Sequence, residues 1–98
     1  MNADQMKAKI EIKCLELCKF LLEKNKSYGN SAADPETIFS DLPPLEGVKL
    51  RIDDKLKRIK NTKRIDHAFK DKDNVRDLIG YLILYEILMD ENKATMNI

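Results

Sequence analysis

Apolar residues recur every three or four positions along most of the chain, a pattern that predicts helices and no strand. The first predicted helix covers about residues 4–24, the second about residues 46–61 and the third about residues 73–91. In the second helix we expect Val48, Ile52, Leu56 and Ile59 to be buried. The chain should therefore adopt an all-α fold, a small helical bundle of three long helices.

A long loop over residues 25–47 separates the first two predicted helices and contains the turn-rich stretches "SYGNS" and "DLPPLEG". Within it, Asp34 before Pro35 is a typical N-cap followed by a proline at the first helical position. The segment "DPETIFS" therefore predicts a short helix inside the loop. A length of 98 residues fits one domain, so residues 1–98 are expected to form a single all-α domain.

The first and third predicted helices are too apolar to pack on one side only. In the first helix, Ile10, Cys14, Leu17 and Leu21 form one apolar stripe, and a second stripe lies beside it. The third helix is apolar almost all round over residues 78–84. Because a three-helix monomer cannot cover this much apolar surface, we expect a homo-oligomer, either a dimer or a larger assembly.

Charge and hydropathy exclude several classes of partner. Lysine and arginine total 18 against 17 acids, which gives no global reason to expect nucleic acid or an anionic membrane. The basic residues after residue 54 have no interleaved aromatic residues for base stacking, so a nucleic-acid partner is not expected. The longest apolar run is far shorter than a membrane span, and the N-terminal stretch does not resemble a signal peptide. We therefore expect a cytoplasmic protein with no membrane partner.

The two cysteines, Cys14 and Cys18, are too few for a disulfide framework or a thiolate zinc site. We expect both to be reduced and to pack in the core as small apolar side chains.

In the third helix, Asp73 and Asp77 lie one turn apart and point in nearly the same direction. One interpretation is structural: Asp73 caps the helix and Asp77 interacts with the dipole of the first turn. The other is chemical, because carboxylate oxygens bind magnesium, and Asp54 on the second helix could complete such a site.

The second helix carries charges of both signs on one face, from Arg51, Asp54, Lys55 and Arg58. These cations can bind phosphate oxygens, arginine through its bidentate fork and lysine as a point charge. The alternative is an exposed face of weak salt bridges between residues one turn apart.

The loop "KNKSYGN" offers a possible binding surface for a base. Asn25 and Asn30 can hydrogen-bond a base or a sugar, Tyr28 can stack on a base, and Gly29 permits a positive φ and close backbone approach. Tyr81, on the same helix face as Asp77, joins these candidate substrate-binding residues. The alternative for the loop is an ordinary helix C-terminus with Gly29 in a left-handed turn and Tyr28 closing over the core.

Three motifs in order, "EKNKSYGNSA", "RIDDKLKRIKN" and "DNVRDLIGYLIL", resemble the phage and bacterial family called nucleotide modification associated domain 1. That family is related to the all-α NTP pyrophosphatases, which are MazG-like enzymes and work as dimers or tetramers. The resemblance implies a nucleotide ligand and magnesium as cofactor, with water releasing pyrophosphate from a nucleoside triphosphate.

By motif position, the resemblance implies catalytic roles for Asp54, Asp73 and Asp77, and these acids with Glu16 as metal ligands. The sequence departs from the family pattern at Lys19, where MazG-like first helices have a second acid, and at Ser27, where the family commonly has an acid.

Three functions are compatible with these observations. The first is a magnesium-dependent hydrolase that converts a nucleoside triphosphate or modified nucleotide to monophosphate and pyrophosphate. The second is a non-catalytic binder, such as a phage protein that sequesters a nucleotide immune signal in the host cytoplasm, and the substitutions Lys19 and Ser27 favour it. The third is a helical interaction module without a nucleotide ligand.

Overall fold

The computed structural model describes residues 1–35, 40–62 and 68–96, without the side chains of residues 62, 68–71 and 93–96. The described residues form three α-helices and no strand: α1 (Ala3–Ser27), α2 (Pro44–Thr62) and α3 (Ala68–Met96). The all-α prediction is confirmed. The predicted short helix in "DPETIFS" falls mostly on residues 36–39, which lie outside the described residues.

The chain divides into two compact units, Met1–Asn30 and Ser31–Ile98. The first contains α1, and the second contains α2 and α3. We describe each unit by itself.

Helix α1 begins with a capping box formed by Asn2 and Gln5. The Asn2 Oδ1 atom accepts a hydrogen bond from the Gln5 backbone N–H at 2.8 Å, and the Gln5 Oε1 atom accepts one from the Asn2 backbone N–H at 3.0 Å. These two bonds satisfy N–H groups that have no partner within the helix. Together with Asp4 in the first turn, they explain why the helix begins at Ala3.

None of the side chains of α1 is buried. Ile10, Leu15 and Leu22 are each more than half exposed. Cys14 and Cys18 are free thiols but exposed, so the predicted core position of the two cysteines is wrong for the described chain. The physical reason is that an apolar stripe becomes core only when another element covers it, and the unit Met1–Asn30 contains no second helix.

Helices α2 and α3 pack against each other and run antiparallel. Lys55 of α2, seven residues before the end of its helix, contacts Asp77 of α3, nine residues after the start. A parallel arrangement is impossible, because five linking residues span at most about 20 Å and α2 is about 28 Å long. The two helices therefore form a hairpin.

The core of this hairpin is small. Val48 is buried, with 2% of its surface exposed, and Gly80 is buried on α3. Ile52 and Ile59 are half-buried. Leu56 is 49% exposed, so its predicted burial is wrong. The row facing α3 runs from Val48 through residues 52, 55 and 59, and Leu56 lies beside it.

No described helix combines the length and apolar character needed to cross a membrane.

Candidate functional site

The two acids of the third helix lie well inside α3. The helix begins at Ala68, five residues before Asp73 and nine before Asp77. The interpretation of Asp73 as the N-cap is therefore wrong, because its backbone is already helical on both sides. The predicted interaction of Asp77 with the first-turn dipole is wrong as well, because Asp77 lies beyond the first two turns. The helix starts early because residues 69–72 contain neither proline nor glycine and so allow helix.

Asp77 pairs with a cation of the neighbouring helix. The Lys55 Nζ atom lies 3.0 Å from Asp77 Oδ2, with 13% of the lysine side chain and 28% of the aspartate side chain exposed. A carboxylate and an ammonium at this depth are partly removed from water, and their pairing offsets that desolvation. The pair therefore belongs to the contact between α2 and α3.

A second acid of the predicted site, Asp54, forms an ion pair with Arg58 along one flank of α2. Arg58 Nε donates to Asp54 Oδ2 at 3.1 Å, one turn away, and both side chains are more than half exposed. Arg51 lies on the same flank and is exposed. It forms no ion pair with any described residue. The flank therefore presents guanidinium groups to solvent, as its charge pattern predicts.

A groove of about 160 Å³ lies between the first turns of α2 and the loop that precedes this helix. Arg51 lines it together with Val48, Pro44 and the two serines Ser31 and Ser40. The hydroxyl of Ser40 also accepts a hydrogen bond from the Leu42 backbone N–H at 3.2 Å. Sequence patterning gave no signal for this groove, since its lining comes from both the loop and the helix.

The predicted magnesium ligands are not gathered in the described structure. Asp54 and Asp77 are engaged by Arg58 and Lys55, and Asp73 is exposed. Glu16 belongs to the other unit, where Lys13 Nζ lies 3.2 Å from its Oε2 atom. Among the described residues, no three acidic, histidine or cysteine side chains are placed to share a metal ion. The donor set does not fit magnesium in this arrangement, so magnesium binding stays a prediction.

The loop after α1 forms a helix C-terminus. The Tyr28 backbone N–H donates to the Lys24 carbonyl and the Asn30 N–H donates to the Asn25 carbonyl, both at 3.0 Å. Gly29 and Asn30 have φ values of 60° and 63°, the left-handed conformation that ends many helices. The predicted helix C-terminus with Gly29 in a left-handed turn is therefore confirmed.

The ring of Tyr28 is held beside a cation. Lys24 Nζ lies 5.4 Å from the centroid of the Phe20 ring and 5.5 Å from that of Tyr28, within cation–π range. Tyr28 remains 60% exposed, so the prediction that it closes over the core is wrong: the unit Met1–Asn30 has no buried α1 residue for the ring to cover. Binding of a base by Tyr28 and its loop neighbours stays a prediction.

The structure thus places the predicted site residues in two groups. The unit Met1–Asn30 holds Glu16, Asn25, Tyr28, Gly29 and Asn30. The unit Ser31–Ile98 holds Arg51, Asp54, Lys55, Arg58, Asp73, Asp77 and Tyr81. Within the second unit, Lys55 contacts Asp77 and Arg58 contacts Asp54. Tyr81 is half-buried one turn beyond Asp77.

Sequence analysis missed the pairing of Lys55 with Asp77. The signal for it is the position of Lys55 at a helical spacing from Val48, Ile52 and Ile59, which puts a lysine in an apolar row. A lysine in such a row needs an acid from the element packed against it.

No protein-family model matches the chain, and comparison with curated proteins and with solved structures finds no similar protein, so the family resemblance remains a prediction from the three sequence motifs.

Proposed function

We propose that the chain is a non-catalytic nucleotide-binding protein in which α2 and the loop before it hold the phosphates of the ligand. The observation that carries this choice over a hydrolase is the ion pair between Lys55 and Asp77. A lysine ammonium occupies the carboxylate on which magnesium would have to bind, and Arg58 does the same for Asp54. Magnesium-dependent hydrolysis at Asp54 and Asp77 would first require both ion pairs to open.

The exposed guanidinium of Arg51 is the group proposed to contact phosphate. Arginine presents donors in a fixed fork that matches two phosphate oxygens, and charge-assisted bonds of this kind are among the stronger hydrogen bonds. The hydroxyls of Ser31 and Ser40 line the same groove and can donate to a third oxygen. This combination supports an anionic ligand in the groove.

The two exposed free thiols fit a reducing compartment, so we place the protein in the cytoplasm, which would be the host cytoplasm if a phage encodes it. We also propose that the helical bundle is completed by homo-oligomerisation. Its support is the small core of the hairpin and the absence of any buried residue in α1.

The deciding experiment offers the protein a panel of nucleoside triphosphates and of linear and cyclic dinucleotides, with and without magnesium. Mass-resolved chromatography then separates nucleotide that is retained by the protein from nucleotide that is released. Intact nucleotide that is retained without magnesium and freed by denaturation supports the binder. Monophosphate and pyrophosphate that form only with magnesium would establish the hydrolase instead. If no nucleotide is retained or changed, the chain is an interaction module.

A further inference from the structure

Helix α3 carries an uncovered apolar row on the side opposite α2. Asp77, which contacts Lys55, and the buried Gly80 define the side that faces α2. Val75, Ile79 and Leu82 follow one another at spacings of four and three residues, about half a turn away from that side. Their exposed fractions are 40%, 42% and 46%. Three large apolar side chains in line on one helix form a seam of the kind that pairs with another helix.

Both ends of this row are charged, with opposite signs. Lys72 continues the row by three residues on the N-terminal side of Val75, and Glu86 continues it by four on the C-terminal side of Leu82. Both side chains are exposed, and neither forms an ion pair with a described residue. The row therefore ends in a cation on one side and an anion on the other, each without an ion-pair partner among the described residues.

The placement of these two charges favours a second copy of the row as the partner, and it favours an antiparallel orientation of the two helices. Lys72 lies seven residues before Ile79 and Glu86 lies seven residues after it, about 10 Å to either side along the axis. If a second copy of the row lies antiparallel, with a two-fold axis near Ile79, Lys72 of each copy meets Glu86 of the other. A parallel pairing would place lysine against lysine and glutamate against glutamate, which is unfavourable.

We propose that two copies of the chain dock antiparallel through Lys72, Val75, Ile79, Leu82 and Glu86 of α3, so that two hairpins form a four-helix bundle. This inference deepens the proposed oligomerisation and does not depend on nucleotide binding. Such an interface is isologous, because each copy contributes the same row and the contacts occur twice.

The first test measures the mass of the full chain by sedimentation equilibrium, comparing the wild type with Ile79→Glu. The expected wild-type species has twice the chain mass of 11.4 kDa. Ile79→Glu puts a charge at the centre of the seam and should yield a monomer with unchanged helical circular dichroism. The matched control is Ile87→Glu, on the same helix and 52% exposed, but about 80° around the axis from Ile79. This control should remain dimeric.

The second test reverses the end charges and so examines the direction of pairing. Lys72→Glu or Glu86→Lys alone creates two like-charge contacts across the two-fold axis, and each should raise the dimer Kd about tenfold at low salt. The double variant exchanges the charges and should restore the wild-type Kd. Since all the exchanged residues are exposed, none of these variants needs to disturb the fold of the hairpin.

The outcomes separate the proposals. An oligomer that survives Ile79→Glu, or single and double charge variants with the same Kd, would overturn this seam while leaving oligomerisation intact. A wild-type monomer at all concentrations would overturn both. Either result can occur with nucleotide retained by the chain, so the binding proposal is judged separately.

Discussion

The ammonium nitrogen of Lys55 and the carboxylate of Asp77 are 3.0 Å apart and join α2 to α3 where most of both side chains is covered. By contrast, Arg58 and Asp54 are 3.1 Å apart along one helix, with more than half of each side chain exposed. The two pairs have almost the same length and differ in burial. Burial therefore decides what each contributes to stability and which acids are accessible to a cation.

Removing the lysine of the covered pair should destabilise the hairpin measurably. Lys55→Met leaves Asp77 partly buried without its cation, and we expect the free energy of unfolding to fall by about 2 kcal/mol, between the ranges for exposed and buried pairs. Arg58→Met, the control for the exposed pair, should cost less than about 1 kcal/mol. Urea unfolding at one fixed protein concentration measures both, because the proposed oligomerisation would make stability depend on concentration.

A double-mutant cycle tests whether the loss comes from the pair itself. With Asp77→Leu added to Lys55→Met, the second substitution should cost much less than it does alone, because the partner is already gone. Strictly additive losses would show that the two side chains act independently and that the 3.0 Å contact does not contribute.

Magnesium should not stabilise the wild-type chain beyond the effect of ionic strength. A ligand that binds the folded state raises the melting temperature to an extent set by its free concentration relative to its Kd. Asp54 and Asp77 are paired with cations, and no three acidic, histidine or cysteine side chains among the described residues are placed to share a metal ion. The measurement compares melting temperatures in magnesium chloride and in sodium chloride of equal ionic strength. A rise specific to magnesium that disappears in Asp77→Asn would instead assign a metal to that carboxylate and revive the hydrolase.

The proposed phosphate contact of Arg51 can be tested against a control variant that removes the same charge elsewhere on α2. Arg51→Ala should weaken nucleotide binding about tenfold or more, since a charge-assisted hydrogen bond contributes about 1.5–3 kcal/mol. Lys57→Ala removes a positive charge from the same helix, on a different face, and should change binding less than twofold. Equal losses in the two variants would point to net charge rather than to the groove. Titration calorimetry with the retained nucleotide distinguishes these results.

Local patterning predicted the helices because each amphipathic stretch carries its own periodic signal. It placed the start of α3 at Asp73, five residues late, because aspartate is a favoured N-cap and Asp73 lies directly before the apolar periodic stretch. Helix ends depend on such weak preferences, whereas helix centres depend on many apolar positions together.

The candidate site was harder to predict, because its contacts lie between elements. The row containing Val48 and Ile59 already included Lys55, yet the identity of its partner on α3 depends on how the two helices pack. A short loop motif gave two interpretations for Gly29, and the left-handed φ shows its role in ending α1 without testing the ligand. Charge spacing therefore predicted candidate residues, but not which of them pair.

Gly29 and Gly47 provide the last prediction, in which one substitution should have opposite effects at two positions. A Cβ atom would meet nothing within 4 Å at either glycine, so steric contact with other residues does not separate them. Gly29 has a φ of 60°, a conformation that costs an L-residue about 1–2 kcal/mol, whereas Gly47 lies inside α2 without a positive φ.

Gly29→Ala should therefore lower stability by about 1 kcal/mol and fray the end of α1. Gly47→Ala should raise stability by up to about 1 kcal/mol, because alanine favours helix and restricts the unfolded chain. Melting followed by circular dichroism measures both, and changes of the same sign would show that backbone conformation is not what distinguishes the two glycines.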